Sequence, residues 1–404
     1  MLDFSRLDFS NLPEMNKERF VYIDALRGIA IAGVIIVHSA SITNVNGLLK
    51  QAASLGSMGV QLFFVISAFT IFYSLSKSNG SATQFRDFFI RRLFRIVPVY
   101  WLGIVLYTAV YGLGSRGWLD GPELWHYPFH ILLINVLHPL TSSSVVPGGW
   151  SISCEVLFYM LVPLLYVYLN TSKKLIGFLL IAMVLLPVLN IMLQNYALVH
   201  WSGIDRVQLK DFFYRWIPNQ LACFTFGILL YKIYEDKRYA GWVSGRVVNL
   251  IGVTLIVLAL FALQLYYIKI PERIHLYSLV FMCLALLLSV VPWTLFVNGF
   301  TVFLGKISYS CYLIHFLVIK QVTVVIGNYF PVLTGHNKGY FLLVLFLSFL
   351  ITIPLGWLSY TFIELQAVNL GRKLITYLNH TATHEKEMSD LKKSNVKGGK
   401  IANP

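Results

Sequence analysis

The chain has 404 residues, of which 57% are hydrophobic and only 12% are charged, and its formal net charge is +14. Soluble domains carry about 25% charged residues, so this composition excludes a soluble globular protein and predicts an integral membrane protein. Lysine and arginine concentrate in the segments expected on the cytoplasmic side. The excess charge therefore indicates membrane topology and no nucleic-acid partner.

Apolar windows of about 20 residues predict an all-α polytopic membrane protein of about ten transmembrane helices, with both termini in the cytoplasm. The windows lie near residues 22–43, 55–76, 89–112, 150–170, 174–196, 213–234, 246–268, 276–296, 302–326 and 340–364. The membrane domain covers residues 21–366. Residues 1–20 form a cytoplasmic segment without a signal-peptide pattern, and the basic tail at 367–404 is expected to be disordered.

The first predicted helix carries ionisable residues that a lipid-facing helix should lack. Arg27 and His38 are eleven residues apart, which places them on one face, about 16 Å apart along the axis. Because such groups are costly in lipid, this face predicts a protein-lined cavity with a cation at one end and a titratable base deeper in the membrane. Asp24, three residues before Arg27, is expected to orient its guanidinium.

The third helix begins with a second group of cations. Arg92 and Arg95 share a helical face, and two neighbouring guanidiniums suit a phosphate group. Arginines that flank a membrane helix also serve as topology anchors, and both interpretations stay open.

The fourth helix carries a polar stripe at i, i+4 spacing, made of Ser151, Glu155 and Tyr159. Glu155 is expected about one turn inside the outer end of this helix. A carboxylate at that depth is a functional candidate, and the alternative is a structural ion pair with an arginine.

The ninth helix carries Ser308, Tyr312 and His315 on one face. Tyr312 and His315 are expected either to hydrogen-bond a ligand or to pack against one another. Glu364, at the end of the tenth helix, is expected to pair with a cytoplasmic arginine in a structural role.

The longest loop, at about 113–149, lies outside the membrane in this topology. Its apolar middle, 129–137, is too short to span, so it should lie at the interface or fold back into the domain. His126 and His130 have metal-ligand spacing but no third ligand is apparent, which favours interfacial histidines and no metal site. The four cysteines lie far apart in or beside apolar stretches and predict small core residues.

Motifs in five successive segments resemble those of the membrane acyltransferase-3 family. Residues 22–28 with His38 match its Arg-x10-His motif, residues 59–69 resemble its second-helix motif, and Arg92 with Arg95 match its Arg-x-x-Arg motif. The fourth and ninth helices supply the remaining two motifs, which comprise Trp150, Ser151, Glu155, Phe158, Tyr159, Ser308, Tyr309, Tyr312, Leu313 and His315. One departure is Ala68, which stands where the family usually has glycine.

The resemblance implies an acyl-CoA-dependent O-acyltransferase of the bacterial inner membrane. Its donor would be cytoplasmic acyl-CoA, expected to be acetyl-CoA, and its acceptor a hydroxyl of O-antigen or another envelope glycan or glycolipid. Arg27, Arg92 and Arg95 would then bind the CoA phosphates, and His38 would be the general base. Catalysis through an acyl-histidine is a further possibility.

The other predicted site residues have supporting roles in this interpretation. Glu155 would orient the acceptor or tune the base, with Asp24 holding the nearby arginine. The expected substrate-binding residues are Ser151, Tyr159, Tyr312 and His315. No permanently bound cofactor or metal is expected, a homo-oligomer is possible, and without a fused hydrolase domain the chain would complete transfer alone or with a partner protein.

Two other functions stay open from the sequence. Intramembrane histidine, arginine and glutamate also mark proton-coupled secondary transporters. That interpretation lacks paired broken helices in two matching halves and does not explain the ordered motifs. A transmembrane N-acetyltransferase would share the chemistry but act on a different acceptor.

Overall fold

The computed structural model describes residues 20–116, 121–265, 273–335 and 337–398. Helices make up most of these ranges: α1 Val21–Ile42, α2 Gly47–Ser54, α3 Gly59–Lys77, α4 Gln84–Tyr111, α5 His126–Ile131, α6 Gly149–Tyr168, α7 Ser172–Leu180, α8 Leu186–His200, α9 Arg206–Arg215, α10 Ile217–Asp236, α11 Arg238–Val243, α12 Arg246–Leu265, α13 Arg273–Val290, α14 Gly299–Lys306, α15 Ser308–Tyr329, α16 Asn337–Ser359 and α17 Leu365–Gly398. The predicted N-terminal segment, 1–20, lies almost wholly outside the described residues.

Nine helical segments in the described ranges are long and apolar enough to cross a membrane, so the chain is an all-α polytopic membrane protein. The predicted span at 213–234 is not among the nine. It corresponds to α10, which packs against α3 and α13 inside the bundle. Its buried faces include Asn219, Gln220 and Thr225. These polar side chains, together with charged residues near its end, lower its hydropathy.

The predicted ninth span, 302–326, is broken at Ile307 into α14 and α15. The break follows from close packing of α14 against α1. A Cβ at Gly28 would collide with the Thr301 carbonyl, and a Cβ at Gly305 would collide with the Asp24 carbonyl. These glycines allow two backbones to touch, and the break places the N-terminus of α15 next to α1.

The long loop before α6 folds back into the domain. His130 is fully buried, where it hydrogen-bonds the Tyr100 hydroxyl at 2.8 Å and the Thr141 carbonyl at 2.8 Å. Asn135 donates to the Ser142 carbonyl at 2.8 Å. The interfacial position expected for His130 was therefore wrong, because α4 supplies a buried polar partner for it. As a result α6 begins inside the bundle at Gly149, which is also buried.

The C-terminal segment is helical, contrary to the expected disorder from residue 367. A π-helical turn, Tyr360–Glu364, joins α16 to α17, and α17 packs against α4. Gly371 permits this contact, since a Cβ there would lie 2.9 Å from the Phe94 side chain. Asn379 accepts a hydrogen bond from Arg86 near the start of α4. Residues 399–404 of the predicted tail lie outside the described residues.

Candidate active site

The first helix borders two cavities. Because α1 is unbroken, Arg27 and His38 lie on one face of it. Arg27 lines a cavity of about 70 Å³, which we call the arginine cavity. His38 lines a larger one of about 880 Å³, which we call the His38 vestibule.

Three arginines and a helix N-terminus face the arginine cavity. Arg27 of α1 lines it together with Arg92 and Arg95 of α4. The first residue of α15, Ser308, lines it as well. Guanidinium groups and the open N–H groups at a helix start both attract anions, so this cavity suits phosphate oxygens. The structure thus brings together the three arginines that the sequence indicated.

Carboxylates orient two of these arginines. Asp24 lies 3.5 Å from the Arg27 guanidinium, and the Thr70 hydroxyl accepts from Arg27 at 3.5 Å. Glu364, on the π-helical turn, lies 3.9 Å from Arg95 and accepts from the Ser310 hydroxyl at 2.9 Å. Asp24 and Glu364 therefore occupy the positions expected from the sequence, each beside its arginine.

Glu155 lines the same cavity as the arginines. It accepts hydrogen bonds from the Ser67 hydroxyl and, at 2.6 Å, from the Tyr159 hydroxyl. The guanidinium carbon of Arg92 lies over the Tyr159 ring, 5.6 Å from its centre. Two hydroxyl donors leave a carboxylate with lone pairs to spare, so Glu155 can also accept from a ligand in the cavity.

From the sequence, Glu155 was expected near the outer end of its helix and the arginines of α4 near the cytoplasmic end, whereas the structure places them around one cavity. Because the preceding loop is buried, the first turn of α6 already lies inside the bundle, and one further turn brings Glu155 to the arginines. Glu155 does not line the His38 vestibule.

Two residues belong to the walls of both cavities, Val60 of α3 and Tyr312 of α15, and we call this pair the collar. The Tyr312 hydroxyl lies 2.8 Å from the Ser151 hydroxyl, and each can donate to the Gly148 carbonyl at 3.1 Å. The hydroxyl pair ties the Tyr312 ring to the start of α6. The arginine cavity and the His38 vestibule therefore share the collar as a common wall.

His38 is half-buried on the vestibule side of the collar. Its ring packs on Phe316, with centroids 4.2 Å apart, and His315 lies behind it at 5.4 Å. The Nδ1–H of His315 donates to the Tyr312 carbonyl, 2.6 Å away. Among the described residues, the walls of the two cavities do not include His315. His315 packs against His38 and Tyr312 and does not line a cavity. The structure thus shows packing, one of the two alternatives for His315, and no cavity-facing position for substrate contact.

Sequence reasoning missed the polar wall of the vestibule. Gln208, Asp211 and Arg215 of α9 line it, together with Trp150 at the start of α6 and Arg116 of the long loop. Arg215 pairs with Asp211 at 2.7 Å. The only signal for this wall in the sequence was the charged stretch at 205–211, between two apolar windows. No spacing rule could show that this stretch meets the long loop above His38.

Comparisons with known proteins identify acyltransferases as relatives of this chain. The family model described as an acyltransferase domain matches residues 20–361. A protein of Staphylococcus aureus (strain COL), provisionally named an O-acetyltransferase, is 29% identical over 382 residues, which is 88% of this chain and 58% of that relative. The O-acetyltransferase OatA of Staphylococcus aureus (strain NCTC 8325 / PS 47) is 26% identical over 407 residues, covering 92% of this chain and 61% of the relative.

A protein of Acidianus two-tailed virus, provisionally named an acetyltransferase, is 24% identical over 274 residues, covering 67% of this chain and 75% of the relative. The chain spans about three fifths of the length of the two staphylococcal relatives, 58% and 61%. No solved structure matches the chain.

Proposed function

This chain belongs to the acyltransferase-3 family, and we propose that it transfers an acetyl group from acetyl-CoA to a hydroxyl of an envelope glycan on the other side of the membrane. One observation carries the proposal. The arginine cavity and the His38 vestibule share the collar as a common wall, so a donor and an acceptor can approach that wall from its two sides.

The arginine cavity is the proposed donor site. Arg92 and Arg95 hold the CoA phosphates at its mouth, assisted by Arg27 and the start of α15. At about 70 Å³ the cavity is too small for the nucleotide, so in this proposal the nucleotide stays at the mouth and only part of the pantetheine arm enters. In this proposal Glu155 accepts from an amide N–H of that arm, which places it on the donor side.

His38 is the proposed general base. It takes the proton from the acceptor hydroxyl as the oxygen attacks the thioester carbonyl, and the C–S bond of the tetrahedral intermediate then breaks. The proton passes to the leaving thiolate, so the products are an O-acetyl ester and free CoA. Imidazole suits this role because it titrates near neutral pH. The proposal puts the thioester at the collar, within reach of both His38 and the Ser151–Tyr312 hydroxyl pair.

The proposed topology follows from the same assignment. The Arg27 end of α1 faces the cytoplasm, where acyl-CoA is made, and the vestibule faces outward, in a bacterial inner membrane. The basic start of α4 lies at the Arg27 end, consistent with the positive-inside rule. If α10 is counted as a tenth span beside the nine apolar segments, the number of crossings is even. In this topology α17 then lies on the cytoplasmic side, as the N-terminus does.

The test compares surface polysaccharide O-acetylation in a strain that lacks the gene. The strain is complemented with wild type, His38→Ala or His200→Ala, and membrane levels are checked by blot. His200 is an exposed histidine that lines neither cavity, and it serves as the matched control. We expect wild type and His200→Ala to restore acetylation and His38→Ala to lose it. If His38→Ala restores acetylation, His38 is not the general base. If acetylation is the same in all the strains, the proposed function is contradicted.

A further inference from the structure

The wall of the His38 vestibule includes a buried arginine that forms no ion pair with a carboxylate among the described residues. Arg116 lines the vestibule and is only 4% exposed. Its Nε donates to the Val145 carbonyl at 3.4 Å and one terminal nitrogen donates to the Gly114 carbonyl at 2.5 Å. The other terminal nitrogen, Nη2, is buried and has no hydrogen-bond partner within the part of the chain that the structure describes.

The side chains around Arg116 are neutral donors and acceptors. Its guanidinium carbon lies 5.9 Å from the centre of the Tyr111 ring. Ser143 and Ser144 line the same wall, and the Ser143 hydroxyl is also buried without a partner among the described residues. Two unsatisfied donors that share one wall are the arrangement expected of an anion-binding site, because each would otherwise cost free energy unpaired.

The two carboxylates that line the vestibule are already engaged. Asp211 pairs with Arg215 at 2.7 Å. Asp205 caps α9 by accepting from the backbone N–H groups of Val207 and Gln208 at 2.8 and 3.2 Å. Neither is ion-paired with Arg116 within the described ranges. Among the described residues, the positive charge of Arg116 is therefore not neutralised by a carboxylate.

From this geometry we propose that the vestibule selects an acidic glycan, one whose repeat carries a carboxylate or a phosphate group that binds Arg116 and Ser143. The inference rests on the proposed function, which makes the vestibule the acceptor site. A guanidinium presents parallel N–H donors that match the oxygens of a carboxylate or phosphate. Binding of the acidic group on this wall would leave a neighbouring hydroxyl of the sugar to reach His38.

The test measures binding to the purified full chain in nanodiscs by calorimetry, with three probes that differ at one carbon. The probes are p-nitrophenyl β-D-glucoside, the corresponding glucuronide and the glucoside 6-phosphate. We expect wild type to bind at least one acidic probe about tenfold or more tightly than the neutral glucoside. The carboxylate and phosphate arms show which acidic group is preferred. Equal affinity for all three probes, or no binding of the acidic ones, would overturn the inference.

Variants assign the preference to Arg116. Arg116→Gln should reduce the ratio of acidic to neutral affinity to about one, whereas Arg116→Lys should keep part of it. Arg206→Gln is the matched control, because Arg206 is an exposed arginine of α9 that does not line the vestibule. A ratio unchanged in Arg116→Gln would overturn the assignment. If that variant does not accumulate, the wild-type preference must still fall with added salt, as screening requires.

Adding acetyl-CoA to the same samples separates the inference from the proposed function. Acidic preference in binding without release of CoA would support the anion site and contradict acetyl transfer. If the neutral and acidic probes are both acetylated but bind with equal affinity, the result would support acetyl transfer and overturn the anion site.

Discussion

The rings of His38 and His315 lie 5.4 Å apart between centroids, and both pack against Phe316, at 4.2 and 4.1 Å. The Nδ1 of His315 meets the Tyr312 carbonyl at 2.6 Å, and a carbonyl can only accept, so this nitrogen carries the proton. In the neutral ring Nε2 is then an acceptor, and it is buried without a partner in the described ranges. His315 is thus a positioning residue that presents a fixed face to the proposed base.

We expect His315→Phe to lower kcat about tenfold or more while leaving the KM for acetyl-CoA nearly unchanged, because His315 does not line the arginine cavity. His315→Gln keeps an acceptor and should retain more activity. The measurement is kcat as a function of pH for each variant. A shifted profile supports an effect on the base, and a uniform loss of folded protein would point to packing alone.

Loss of a guanidinium from the arginine cavity should weaken donor binding. Arg92→Ala and Arg95→Ala should each raise the KM for acetyl-CoA by about tenfold or more, since a charge-assisted bond to phosphate is lost. Steady-state kinetics with varied acetyl-CoA checks this. Arg91→Ala is the control, because Arg91 is exposed and does not line the cavity. An unchanged KM for acetyl-CoA in both variants would show that Arg92 and Arg95 serve only as topology anchors.

The location of Glu155 separates a donor role from an acceptor role. Glu155→Gln keeps the size of the side chain but loses its charge, next to Ser67 and Tyr159. We expect a change in the KM for acetyl-CoA of about threefold to tenfold, with the KM for the acceptor unchanged. Varying one substrate at a time at saturation of the other distinguishes the two. An effect confined to the acceptor would contradict the donor-side assignment.

The collar should set the size of the transferred acyl group. Val60→Ala opens the passage between the cavities and should raise kcat/KM for butyryl-CoA relative to acetyl-CoA by about tenfold, on the scale of two methylene groups in a pocket. Val60→Phe should block transfer of both. Competition between the two donors gives the ratio directly. Val105→Ala, at a position that is 62% exposed on α4, should leave the ratio as in wild type.

Acidification should destabilise the loop that carries His130. Burial lowers the pKa of His130 to about 3, whereas an unfolded histidine titrates near 6.5. The unfolded chain therefore takes up the proton first, so the stability contributed by the neutral ring is complete above pH 6.5 and is lost as the pH falls toward 3. The apparent melting temperature in detergent should fall across this range. His130→Asn should start lower at neutral pH and depend less on pH, and an equal slope in both proteins would contradict this account.

Most helix positions were predictable because crossing a bilayer demands about 20 apolar residues, a local property of the sequence. The association of Arg27, Arg92 and Arg95 was also accessible, since ionisable residues in apolar helices have to face protein. The tail was predicted wrongly. Its local polarity indicated disorder, whereas the contact of Gly371 with Phe94, far apart in sequence, packs α17 on α4.

The sequence by itself determined that this is a helical membrane protein with a cation and an imidazole on one face of its first helix, because spacing along a helix is local geometry. Only the tertiary structure decided that Glu155 joins the arginines, that Val60 and Tyr312 separate two cavities, and that Arg116 faces the vestibule. Each of these depends on how a buried loop sets the depth of α6 and on which distant segments meet. Such contacts arise from packing of the whole chain, and no period in the sequence encodes them.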